Sequence, residues 1–253
     1  MAMNSSLNEQ SSHSRTDKKV KIAAMADLHM HKLVAGIFKE TFTEISEKAD
    51  ILVLCGDLTD HGHKEEAELL LEDLTFCKIP VVGVLGNHDF EAGESEEVKR
   101  ILSKGMFILD EESVEIKGVG FAGVKGFGGG FDTHMLGRFG EKGMKNFVQE
   151  VIDETLKLEA SLGKLRTDKK IVALHYSPIR QTCIGEPEEI FPFLGSSRLA
   201  EPIDNFKVTA VFHGHSHYGS PEGKTITGIP VYNVALKVLS TLKENNRYKI
   251  IEI

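Results

Sequence analysis

Val81-Val82-Gly83-Val84-Leu85 runs directly into Gly86-Asn87-His88-Asp89. A short, continuous apolar run bounded by turn residues reads as a strand buried on both faces, the form strands take in a parallel sheet. It ends in an amide, an imidazole and a carboxylate side by side, which packing a core does not call for. Four other stretches share the design: Val20–Ala26 leads to Asp27-Leu28-His29, and Ile51–Cys55 to Gly56-Asp57-Leu58-Thr59-Asp60. Ile171–Leu174 leads to His175, and Val208–Phe212 to Gly214-His215-Ser216-His217.

Between the first three strands, apolar residues fall at helical spacing. Val34–Ala49 presents Ile37, Phe38, Phe42 and Ile45, and Lys64–Phe76 presents leucines opposite acids. Strands alternating with helices predict βαβ units and a parallel sheet, hence an α/β fold. After a short helix at Glu94–Ser103 the period changes. Met106–Leu109, Ser113–Lys117 and Gly120–Val124 read as antiparallel or mixed strands. Glu141–Leu162 reads as a long helix with Phe147, Val148, Val151, Ile152, Leu156 and Leu158 on its apolar side. Gln181–Ser197 reads as a long irregular loop, followed by a helix to Ile203. Lys224–Thr227, Val231–Ala235 and Tyr248–Ile251 complete the strands. No repeat or linker divides the chain, so residues 18–253 are expected to form one domain behind a disordered, Ser/Asn-rich tail, 1–17, to which His13 belongs.

The chain has 253 residues, 41% hydrophobic and 27% charged, the profile of a globular protein with a sizeable core. The formal charge of −8 disfavours a broad nucleic-acid surface, since such surfaces are basic. Three cysteines, Cys55, Cys77 and Cys183, without a CxxC pair fit a reduced, cytoplasmic compartment. No apolar run approaches the ~18 residues of a membrane helix, and the N-terminus lacks the apolar core of a signal peptide.

In open α/β sheets the carboxyl ends of the strands gather at one rim, where ligands bind. Asp27 and His29, two apart at a strand end, are expected to face one point because strand side chains alternate, and His215 and His217 repeat the spacing. With Asp57, Asn87 and His175 the inventory is two carboxylates, one amide and four imidazoles. That is too many for one tetrahedral zinc and suits two divalent ions bridged by a carboxylate. Mixed nitrogen and oxygen donors without thiolate favour Mn, Fe, Zn, Co or Ni over Ca or Mg.

The ordered blocks DxH, GDxxD, GNHD, a lone His and GHxH, spanning residues 27–217, resemble the calcineurin-like metallophosphoesterase superfamily. The resemblance implies a four-layer α/β/β/α sandwich with two mixed sheets and a dinuclear centre. One metal would take Asp27, His29, Asp57 and His217, and the other Asp57, Asn87, His175 and His215, with Asp57 bridging. It further implies that a metal-bridging hydroxide attacks phosphorus while His88 stabilises the transition state and protonates the leaving alkoxide. Asp89 would hold that imidazole, and Asp60 would support a ligand histidine.

The activity this implies is phosphoester hydrolysis, leaning to small phosphodiesters of nucleotide type. The alternatives are a metal-dependent nuclease, a phosphomonoesterase or protein phosphatase, and a scaffold that has lost catalysis. The charge opposes the nuclease, and the intact ligand positions and His88 oppose the scaffold. Gly56, Gly86 and Gly214 are equally compatible with plain turns. Gly126–Phe131 reads either as a flexible hairpin tip or as a substrate-facing loop with Phe127 or Phe131 stacking on a ring. His61, His63 and His134 carry no assignment.

Overall fold

Alternation along the buried strands sorts their side chains into separate cores. β1 (Lys21–Met25) sends Ile22 and Ala24 to one face and Ala23 and Met25 to the other. β2 (Ile51–Cys55) does the same with Ile51, Val53 and Cys55 against Leu52 and Leu54. All nine side chains are fully buried, so both faces of this sheet are covered. The computed structural model describes residues 19–243 and 245–253. The tail 1–17 and His13 lie outside them.

The first sheet adds β3 (Val81–Val84) and β4 (Phe107–Ile108) in parallel to β1 and β2, with β11 (Lys249–Glu252) antiparallel on the other edge. The second sheet has parallel β6 (Val119–Val124), β7 (Lys169–Leu174), β8 (Ala210–His213) and β10 (Pro230–Asn233). Antiparallel β5 (Ser113–Ile116) and β9 (Glu222–Lys224) close its edges. Both sheets are mixed. Phe121 and Phe212 fill the space between them with Ile22, Val53 and Val84; each such fully buried side chain stabilises by ~1.5–3 kcal/mol relative to exposure.

Helices α1 (Lys39–Lys48), α2 (Lys64–Leu74) and α3 (Ser95–Leu102) cover the outer face of the first sheet through Phe42, Ile45, Leu70 and Ile101. α4 (Lys142–Lys164) covers the second through Val151, Leu158 and Leu162. A four-residue helix, α5 (Phe191–Leu194), and α6 (Ala200–Asn205) follow, and α7 (Leu236–Leu242) leads toward β11. The layers are α/β/β/α.

Several boundaries differ from the sequence reading. α1 begins at Lys39 rather than Val34, because Gly36 turns the chain at φ 86° and leaves Ile37 43% exposed. Leu156, assigned to the apolar side of α4, is 56% exposed, while Glu154 on that helix is buried and accepts from the Gly126 amide (2.7 Å). The strand expected at Lys224–Thr227 is Glu222–Lys224, since Thr225 begins a turn with Gly228 N donating to Thr225 O (3.0 Å). Residues 181–197 are ordered by short 3-10 turns and α5 rather than irregular throughout. α7 was not legible: its seven residues are too few to show a helical period.

β2 faces β7 across the inter-sheet core. The carboxyl ends of β1, β2, β3, β7 and β8 thereby open onto one rim, and each of the five polar blocks begins there.

Candidate metal centre

Asp27 and His29 lie beyond the end of β1 at φ 59° and 44°, and Asp57 and His215 stand at 47° and 68°. Left-handed backbone on a non-glycine residue costs ~1–3 kcal/mol and persists where its surroundings over-determine it. Main-chain bonds supply that here, with Asp27 N donating to Gly56 O and His29 N to Asp57 O, both at 3.0 Å. Strand alternation is therefore not what aims these side chains, contrary to expectation. His215 and His217 do not share one point either. His217 joins Asp27 and His29 in one donor group, and His215 joins Asp57 and His175 in another, with the donor atoms of each group within 4.8 Å of one another.

Asp57 stands between the groups. Its Oδ1 lies 3.2 Å from His175 Nε2, and its Oδ2 lies 3.9 Å from His29 Nε2. His88 N donates to Oδ1 (2.9 Å). Gly86 is needed for this approach, because a Cβ there would lie 2.2 Å from the Asp57 main-chain nitrogen and Oδ1. Gly86 is thus more than a plain turn residue.

The donors fit divalent cations. Both ring nitrogens of His29 are buried without a hydrogen-bond partner; Asp60 Oδ1 is 3.4 Å from Nδ1 but out of line for a bond. His175 Nδ1 donates to the Cys55 carbonyl (3.0 Å), and its Nε2 faces two acceptors, Asn87 Oδ1 (2.8 Å) and Asp57 Oδ1 (3.2 Å). An imidazole nitrogen aimed at two oxygens requires a proton or a metal between them. Burial opposes charge on His175, yet the Asp57 carboxylate outweighs it and raises the pKa to about 9. Burial also opposes charge on Asp57, but His175 and the His88 amide hold its carboxyl well below the usual range.

The other imidazoles are held singly. His215 Nε2 donates to the Phe193 carbonyl (3.1 Å), which leaves Nδ1 with the free lone pair. Desolvation takes His215 down to about 3, so it is neutral and can ligate. His217 bonds Asp27 Oδ1 (2.9 Å), which raises its pKa against burial. Asp27 also accepts from the His215 amide (3.1 Å).

His88 sits beside His29, with ring centroids 4.6 Å apart. Its Nδ1 donates to the Asp60 carbonyl (2.6 Å). Asp89 does not hold this imidazole, as the sequence reading expected. Its carboxylate is fully buried and accepts from Gly86 N (2.7 Å), Leu58 N (3.2 Å), Thr59 N (2.8 Å) and Thr59 Oγ1 (2.6 Å). Asp89 therefore ties the Asp57 loop to the Asn87 loop. Burial, followed by the Asp57 charge, pushes its pKa up to about 6.

The carbonyls of Cys55, Asp60 and Phe193, which orient three imidazoles, were not foreseen, and main-chain acceptors leave no sequence signal. Also unforeseen was His213, fully buried beneath the GHxH turn and bonded to the Gly214 carbonyl and Thr182 Oγ1, each at 2.8 Å. Phe131 is only 4% exposed and packs with Cys183, Phe191 and Leu194, so it is not free to stack on a substrate. No helix among the described residues is long and apolar enough to cross a membrane.

Residues 20–219 match the profile of the family described as calcineurin-like phosphoesterase. Two curated relatives are each 26% identical. A probable cyclic nucleotide phosphodiesterase of Rhodococcus erythropolis matches over 83% of this chain and 62% of its own length. A probable glycerophosphodiester phosphodiesterase of Arcobacter nitrofigilis matches over 68% of this chain and 58% of its own. The chain thus spans about three fifths of each of these relatives. Among solved structures, the phosphopantetheinyl hydrolase of Mycobacterium tuberculosis superposes with a TM-score of 0.68 at 14% identity, covering 91% of this chain and 95% of that one.

Proposed function

The chain belongs to the calcineurin-like phosphoesterase family; we propose that it is a metal-dependent phosphoester hydrolase that cleaves small phosphodiesters with two divalent ions. The observation that carries this is Asp57, whose two oxygens face different donor groups. Asp27, His29, Asp57 and His217 would hold one ion, and Asp57, Asn87, His175 and His215 the other. When bound, the ions neutralise phosphoryl charge and lower the pKa of water from ~15.7 toward ~7.

The chain's own residues supply the rest. His88 keeps Nδ1 on the Asp60 carbonyl, so Nε2 is the atom that delivers a proton to the leaving alkoxide. Asp89 acts through the two loops it joins, not by touching substrate. The charge balance favours diesters. Among the described residues no Lys or Arg pairs with a ligand-type side chain, while Asp60 stands by His29 and Glu91 stands 3.9 Å from His88. A monoester dianion needs more positive charge than a diester monoanion, and the charged groups paired with these imidazoles are acidic. Both curated relatives carry diesterase names, which supports the same reading.

The test is hydrolysis of bis-p-nitrophenyl phosphate against p-nitrophenyl phosphate by the Mn-loaded protein, alongside metal analysis. Diester preference with two ions per chain is expected. A clear monoester preference overturns the diester assignment, and a single ion overturns the dinuclear one.

A further inference from the structure

We propose that an aromatic wall beside the metal centre reads the ester group that stays on phosphorus, so that the preferred substrates carry a planar aromatic ring on that ester; this rests on the diesterase reading above. The wall begins at a ligand-type residue. The His215 ring lies 4.3 Å from Tyr176, Tyr176 meets Phe127 at 5.6 Å, and Phe127 meets Phe147 at 4.9 Å. Phe147 meets Phe193 edge to face at 5.9 Å. The circuit closes because the Phe193 carbonyl accepts from His215 Nε2 (3.1 Å).

Tyr176 is buried and Phe127 and Phe147 are half-buried, but Phe193 is 58% exposed. An exposed phenylalanine is ordinary by itself. The support behind this one is not. The glycine-rich loop holds the segment that carries Phe193. Gly129 N donates to Pro192 O (2.7 Å), and Gly130 N to Gly195 O (2.9 Å). A Cβ on Gly128 would lie 2.5 Å from Pro192 O and 3.1 Å from Phe193 Cα. The Lys125 ammonium lies 4.8 Å from the Phe127 centroid, 5.5 Å from Tyr176 and 5.6 Å from Phe90, and it bonds Gly126 O (2.9 Å). That cation holds the Phe127 and Tyr176 ring faces in place.

The direction follows from Asp57. Its Oδ2 faces His29 and His88, and its Oδ1 faces His175, on which His215 packs at 4.9 Å. The alkoxide that departs toward His88 therefore leaves on the side away from the wall, and the ester that remains lies toward Phe193.

Phenyl p-nitrophenyl phosphate and methyl p-nitrophenyl phosphate share a leaving group and differ only in the retained ester. With the Mn-loaded protein, kcat/KM for the phenyl ester is expected to exceed that for the methyl ester by about five- to tenfold, the difference appearing in KM. Phe193→Ala is expected to bring that ratio to about twofold or less, Phe193→Tyr to restore it, and Phe107→Ala, exposed on distant β4, to leave it at the wild-type value. Calorimetric binding of phenylphosphonate against methylphosphonate should give the same order without turnover. If no diester is hydrolysed, the diesterase reading falls, and the phosphonate affinities still decide the wall. A wild-type ratio near one, or a ratio that Phe193→Ala does not change, overturns it.

Discussion

His88→Asn is expected to leave the bound metal in place and lower kcat by about 10²–10⁴-fold, because each ion keeps its other donors although the His88 ring nitrogen also lies within 4.8 Å of donors of His29 and Asp57. Metal analysis together with kcat checks this, and metal loss would place His88 among the ligands instead. Asp57→Asn is expected to release more metal than Asp27→Asn, since only Asp57 offers an oxygen to each donor group. Equal losses would argue against a shared carboxylate. His175 adds a pH dependence. Despite its burial, Asp57 raises it in the fold to about 9, above its ordinary value of 6.5. In the metal-free chain the contribution of His175 to stability is therefore complete below pH 6.5 and is lost as pH rises through about 9. A metal must displace that proton, so apparent metal affinity is expected to climb with pH up to about 9. Calorimetry in buffers of different ionisation heat counts the released proton, and release of none refutes the pairing.

The element that holds the site is a pair of loops rather than a helix or strand. Asp89 joins the turn after β2 to the turn after β3 through four donors. Asp89→Ala would strand those donors in the interior, at ~1–3 kcal/mol for each one left without water or a partner. The expected loss is ~3–5 kcal/mol, read as a lower urea midpoint at unchanged m, with metal content falling as well. A cost under ~1 kcal/mol would mean that the loops hold each other without it. This part of the site was only half legible. The carboxylate beside His88 is plain in the sequence, and adjacency suggested a partner for the imidazole. The 3-10 turn at His88–Phe90 directs consecutive side chains apart, so Asp89 points inward while His88 faces the rim. Adjacent residues are a poor guide to contact wherever the backbone coils.

At the scale of the molecule, the donors come from both sheets. Asp27, His29, Asp57 and Asn87 follow strands of the first, and His175, His215 and His217 follow strands of the second. Ions held there would tie the layers together at the open rim. An ion present at 100 times its Kd adds ~2.7 kcal/mol. Removing it from a chain of this size is expected to lower Tm by about 5–10 °C, reversibly on adding Mn. A melting curve indifferent to chelator would mean that the rim is already braced by protein alone.

The one-dimensional chain by itself determined the α/β class, the buried strands and the order of polar blocks at their ends. Those follow from side-chain hydrophobicity and its period, which are local properties of sequence. Tertiary structure alone decided which nitrogen of His88, His175 and His215 faces the centre, that Asp89 braces loops, and that Phe193 rather than Phe131 stands in solvent. Those outcomes depend on the carbonyls of Cys55, Asp60 and Phe193, and on left-handed turns at Asp27, His29, Asp57 and His215. Main-chain acceptors are the same at every residue, so only the path of the folded backbone can say where one of them points.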